Sequence, residues 1–162
     1  MTAFRFDESV PLPPGAIVTA ALGTSGAPYT DKEVGKAVKI IGDSNYGSVA
    51  NNDALEGVVT SVEPGTVKGG ISLGGVQRWL PGMRLTVRNN AATALVINDF
   101  VKCTAQAAVG TANAGAITPI PLIQKGDGTE RFAWRVVSLL GSNGAQNTEV
   151  LVEAVSTTAG AS

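Results

Sequence analysis

Residues 54–88 read ALEGVVTSVEPGTVKGGISLGGVQRWLPGMRLTVR. Apolar residues alternate with polar ones, and glycine pairs and Pro-Gly dipeptides break the stretch into short pieces. Val67, Gly69, Ile71 and Leu73 fall on one side of an extended chain, and Lys68, Gly70 and Ser72 on the other. Met83, Leu85 and Val87 repeat the pattern against Arg84, Thr86 and Arg88. A period of two marks a half-buried strand, because successive side chains point to opposite faces of a sheet. Leu55–Glu63 reads as a further strand that ends at the turn pair Pro64-Gly65. The segment predicts a β scaffold and offers almost nothing with which to do chemistry.

The same reading extends outward. Strands are expected at Ala16–Ala21, Val38–Ile41, Ala94–Asn98 and Phe100–Thr104, and Ile117–Ile123, with Pro119 and Pro121, fits an edge strand. Asp31–Val38 could begin a helix, although Gly35 weakens it. Asp43–Asp53 is a polar loop or hairpin tip, and Ala105–Ala116 is a loop. The clearest hairpin joins Arg131–Leu140 to Asn147–Val155 through GSNGAQ, a connection rich in turn formers. Both faces of its first strand carry apolar residues, which places the pair centrally. No repeat of fixed period stands out. The expected fold is all-β, a small β-sandwich or partly open barrel with little helix. It comprises an extended N-terminal arm at 1–15, one β domain at 16–155 and a mobile tail at 156–162.

Composition narrows the function. The chain has 162 residues, 44% of them apolar, mostly Ala and Val, and 5% aromatic, with 20 glycines and 8 prolines. Its net charge is −1, with no basic block, so no electrostatic case exists for nucleic acid or an anionic membrane. The N-terminus lacks the apolar core of a signal peptide, and no apolar run approaches the roughly 20 residues of a membrane span. The expectation is a soluble protein made in a reducing cytosol, where the single Cys103 stays free.

There is no histidine. That removes Ser-His-Asp and Cys-His arrangements and the usual Cys/His zinc sites. Cys103 lies in the apolar run VKCTA and reads as a core residue. GTVKGG at 65–70 lacks the spacing of a phosphate loop, so its glycines serve close backbone approach or a bulge. The loop from Asp43 to Asp53 has its glycine at the wrong place for calcium, and GDGTE at 126–130 reads as a hairpin tip. Glu149 and Glu153 share a strand face but stand roughly 13 Å apart by strand rise, too far for a glycosidase pair. No enzyme, cofactor or metal is expected.

Two places read instead as protein interface. In the arm, Pro11, Pro13 and Pro14 fix an extended backbone, while Phe4 and Phe6 flank Arg5 on one face, with Val10 following. These aromatics either tuck onto the domain's own core or dock on a neighbour. In Gln77-Arg78-Trp79-Leu80-Pro81-Gly82, a tryptophan beside an arginine either caps a small barrel or forms an interface hot spot.

The Pro-interrupted arm, LEGVVTSVE at 55–63, GGISLGGVQRWLPG at 69–82 and LVINDFVKCTA at 95–105 together resemble the capsid decoration, or cement, proteins of tailed bacteriophages. The resemblance lies in layout and composition. It implies a structural virion protein, assembled in the host bacterial cytoplasm, that binds the outer capsid surface and braces the major capsid protein lattice. It also implies a homo-oligomer, trimer before dimer. A tail or fibre β module that binds host carbohydrate or receptor is the alternative.

Overall fold

The computed structural model describes residues 17–24, 26–106 and 120–156, and strands form two consecutive rings within them. The first contains β1 (Ile17–Thr24), β2 (Ala27–Pro28), β3 (Ala37–Gly42), β4 (Asn45–Ser48), β5 (Gly57–Val62) and β6 (Leu73–Arg78). Its order is β2-β1-β4-β3-β5-β6, and β6 also pairs with β1, so the ladder returns to its start. The second contains β7 (Arg84–Asn89), β8 (Phe100–Cys103), β9 (Leu122–Lys125), β10 (Trp134–Ser138) and β11 (Glu149–Ala154). It is a closed barrel in the order β10-β11-β7-β9-β8. The all-β expectation holds, in the form of two small barrels. No helix among the described residues is long and apolar enough to cross a membrane.

The two rings are one topology used twice. Matching β1, β3, β4, β5 and β6 to β7, β8, β9, β10 and β11 in order reproduces every pairing. The first and third strands of each ring are parallel (β1 with β4, β7 with β9), and all other pairs are antiparallel. The registers agree residue by residue. Val18 faces Val76 as Leu85 faces Val152, Leu22 sits beside Tyr46 as Asn89 beside Ile123, and Val38 faces Ser48 as Val101 faces Lys125. Even the irregularity recurs, with a bulge between Val59 and Ser61 and another between Val136 and Ser138. Gly35 donates to the Val59 carbonyl as Asn98 donates to that of Val136, and both residues adopt positive φ, 97° and 75°. Val38/Val101, Lys39/Lys102, Val59/Val136 and Val76/Val152 are identical at matched positions. The chain thus contains a repeat that its sequence conceals.

Each ring has an interior, and the wall between them is shared. Ala20, Leu22, Val38, Tyr46, Val59 and Val76 fill the first. The larger cluster holds Leu85, Val87, Val101, Ile123, Val136 and Val152 of the second barrel, together with Ala37, Leu55 and Val58 from the first. Both tryptophans stitch this junction. Trp134, the largest fully buried side chain, donates its Nε1–H to the Leu55 carbonyl at 2.9 Å. Trp79 donates to the Ala133 carbonyl at 3.1 Å and meets Phe132 edge-on at 5.6 Å.

Several local expectations are corrected. Val67–Leu73 is not a continuous strand, because Pro64–Lys68 forms a one-turn α-helix (α1) and β6 begins only at Leu73. Proline is pre-set for the first helical turn, and Gly70, at φ 78°, reverses the chain after it. The close approach expected of the glycines at 65–70 is not found there, since a Cβ on Gly65 or Gly70 would meet nothing within 4 Å; it falls instead at Gly74 and Gly75. A Cβ on Gly74 would strike the Ser61 carbonyl where β5 bulges, and one on Gly75 would strike the Thr60 hydroxyl. Ala94–Asn98 is not a strand, since Asp99 Oδ2 caps the Val96 amide and Asn98 turns the chain. Asp31–Glu33 makes only a single 3-10 turn, closed by a Thr30–Glu33 capping box and ended at Gly35. Asp43–Asp53 is no simple loop, for Asn45–Ser48 is β4 and the turn is at 43–44. The β9 strand is no edge, having β7 and β8 on either side. GDGTE is not a hairpin tip either. It crosses from β9 to β10, which lie on opposite sides of β8, and Glu130 pins it through the Asp127 and Gly128 amides. The arm, most of Ala105–Ala116 and residues 157–162 lie outside the described residues.

Candidate functional site

The first barrel is incompletely zipped. The β4 strand covers β1 only at Ala21 and Leu22. The Ala21 amide points to that side, donating to the Ser44 carbonyl at 3.0 Å, whereas the Leu22 amide points to the β6 side, toward the Ser72 carbonyl. Strand alternation therefore turns the amide and carbonyl groups of Ile17 and Thr19 toward β4, where no described strand stands opposite them. A cleft of about 250 Å³ runs along this open flank. Val18, Thr19 and Ala20 of β1, Ile40 of β3, Tyr46 of β4 and Arg78 of β6 line it. Ile40 in its wall and Ile17, the residue before Val18 on β1, are each 51% exposed, and Arg78 makes no ion pair with any described residue. Asn45, paired with Ala21 at the upper end, carries a buried Oδ1 with no partner among the described residues. The site combines main-chain groups that no described strand faces, apolar walls and one cation. That set suits an added strand with an acidic group near one end.

Its counterpart in the second barrel differs. There β9 covers β7 only at Arg88 and Asn89, the same short overlap. However, β3 and β4 are joined across residues 43–44, whereas β8 and β9 are joined by residues 104–121. Both connections end alike on the first strand of their ring, the Pro121 carbonyl accepting from the Arg88 amide at 2.9 Å as the Ser44 carbonyl does from the Ala21 amide at 3.0 Å. The neighbouring outer face also differs. Arg84 pairs with Glu153 at 2.8 Å and Arg88 with Glu149 at 3.2 Å, and the matched residues in the first barrel are Ile17 with Gln77 and Ala21 with Leu73. One barrel carries two ion pairs where the other carries Ile17, Ala21 and Leu73 beside the buried amide of Gln77.

The residues expected from sequence divide between these places. Gln77 is buried, with Nε2 donating to the Arg78 carbonyl and to Met83 Sδ. Trp79 and Leu80 pack into the junction cluster. Of the four candidates Gln77, Arg78, Trp79 and Leu80, only Arg78 is exposed, at the cleft. Phe4, Arg5, Phe6 and Val10 lie outside the described residues. The sequence reading missed Ile17, Thr19 and Ile40. Their significance comes from which strands fail to pair, and no local pattern reports that.

Elsewhere the ionisable groups serve the frame. Burial would raise the Asp53 carboxyl, but hydrogen bonds from Lys39 and the Ala50 amide, with the Lys39 charge, hold it below its ordinary value. Asp99 is lowered against its own burial in the same way by Lys125 and the Val96 amide. Burial, reinforced by the charges of Asp53 and Glu56, pushes the Cys103 thiol far up, so it remains protonated. No cluster of three or more metal-ligating side chains occurs among the described residues.

Comparison with known proteins finds no match to a family model, a curated protein or a solved structure.

Proposed function

We propose that this chain is a structural virion protein that binds the outer surface of a phage capsid as a homo-oligomer, a trimer before a dimer, and stabilises the major capsid protein lattice. The observation that carries the reading is the open flank of β1, where main-chain groups that no described strand faces lie beside exposed isoleucines on a two-barrel body. Such a flank binds protein backbone, and contacts of this kind gain strength when repeated over a symmetric shell. Co-sedimentation of the purified chain with expanded capsids of the source phage, followed by electron microscopy, tests this reading. Density on the outer shell supports the proposal, and particles that bind none overturn it. The tail-module alternative calls for an exposed aromatic platform. Trp134 is fully buried, and Trp79 is half-buried against Phe132 with its Nε1–H bonded.

A further inference from the structure

We propose that the cleft beside β1 receives residues 4–12 of a neighbouring copy of this chain, added as an extra strand. The proposal rests on the oligomer part of the reading above and is independent of the capsid.

Four observations lead to this occupant. First, the cleft presents a strand flank with no described strand opposite it at Ile17 and Thr19, and a strand is the element that satisfies alternating donors and acceptors. Second, the turn at 43–44 that joins β3 to β4 reaches β1 only at Ala21, through the Ser44 carbonyl, and with two residues it has no length to follow β1 back to Thr19 and Ile17.

Third, the segment FRFDESVPL at 4–12 has complementary chemistry. Phe4, Phe6, Val10 and Leu12 match apolar walls, and Asp7 and Glu8 match the unpaired Arg78. Pro11 and Pro13 are two residues apart, so the donors they lack would both fall on one side of an extended chain. The other side keeps the Val10 and Leu12 amides. Such a strand pairs along one flank and cannot propagate a sheet beyond itself.

Fourth, the occupant comes from another copy. The segment joins β1 through Pro13-Pro14-Gly15, and the tight two-residue hairpins that would fold it back onto β1 require positive φ at their first central residue, which proline cannot adopt. An extended segment of about twelve residues reaches roughly 40 Å, enough to cross to an adjoining small barrel.

The test is photo-crosslinking of the full chain carrying Phe6→p-benzoylphenylalanine, mixed as ¹⁵N-labelled and unlabelled protein. Mass spectrometry should find crosslinks joining a labelled segment 1–16 to unlabelled peptides that contain β1, Ile40, Tyr46 or Arg78, and the reverse. Arg78→Glu should lower the yield and weaken self-association about two- to fivefold, the range of an exposed ion pair. Combining it with Asp7→Lys and Glu8→Lys should restore both. Crosslinks confined to one chain, crosslinks to another surface, or none from either Phe6 or a second probe at Phe4 would overturn the proposal. Exchange of the segment without capsid binding would sink the capsid reading alone. Capsid binding without exchange would sink this one.

Discussion

Replacing Trp134 with phenylalanine tests the claim that the two barrels form one structure. Trp134 is 1% exposed, belongs to β10 of the second barrel, and donates its indole N–H to the Leu55 carbonyl of the first at 2.9 Å. Phenylalanine removes that donor and leaves the carbonyl of a residue only 1% exposed without it. An unsatisfied buried group costs about 1–3 kcal/mol, and the lost ring volume adds about 1 kcal/mol of cavity and transfer cost. The expected loss is therefore about 2–4 kcal/mol. With a urea slope near 2 kcal/mol/M, the midpoint should fall by roughly 1–2 M. Trp79→Phe is the internal control. Its indole N–H also meets a carbonyl, that of Ala133, but the ring is half-exposed and water can replace the bond, so the cost should be nearer 1 kcal/mol. Equilibrium urea unfolding followed by far-UV circular dichroism measures both. A Trp134→Phe loss below about 0.5 kcal/mol, or no larger than that of Trp79→Phe, would refute the reasoning.

Gly74→Ala should cost about 1–3 kcal/mol, because its Cβ meets the Ser61 carbonyl and Leu22 Cδ1, whereas Gly65→Ala in α1, in open space, should be close to neutral by the same urea assay. Acid should destabilise the fold through Asp53 and Asp99. Their folded pKa values lie below the ordinary 3.8, so their stabilising effect is complete above that value and is lost as pH falls through the lower folded values. Thermal melts from pH 6 to pH 2 should show the loss, and Asp99→Asn should flatten part of it. Hydrogen exchange followed by NMR should find the Thr19 amide protected at high protein concentration and released on dilution, while the Leu22 amide, bonded to Ser72, stays protected throughout.

Strand content was readable where one face is buried along a whole strand. Leu85 and Val87 in β7, and Met83 just before it, are buried as their sequence period requires. The same period misled at Val67–Leu73, where a helix of five residues is too short to establish a rhythm of its own against the apparent alternation. The repeat was hidden for two reasons. The matched connections differ in length, residues 43–44 against 104–121, which destroys any fixed period. Matched interiors also need only fill volume, so Gly57, where a Cβ would press on Val76, corresponds to the bulky Trp134. Arg78 was legible as an exposed cation beside an aromatic. The cleft around it was not, since it arises from a pairing between β1 and β4 that stops after two residues.

The duplicated ring has a consequence for symmetry. A chain that folds the same way twice already contains a dimer, covalently tied, whose halves need not remain alike. In the trimer proposed above, three such chains would present six barrels to a site of three-fold symmetry. Because the halves are unequal, those barrels would alternate, three with the Arg84–Glu153 and Arg88–Glu149 pairs and three without them. A lattice that meets them can therefore distinguish one barrel of each chain from the other.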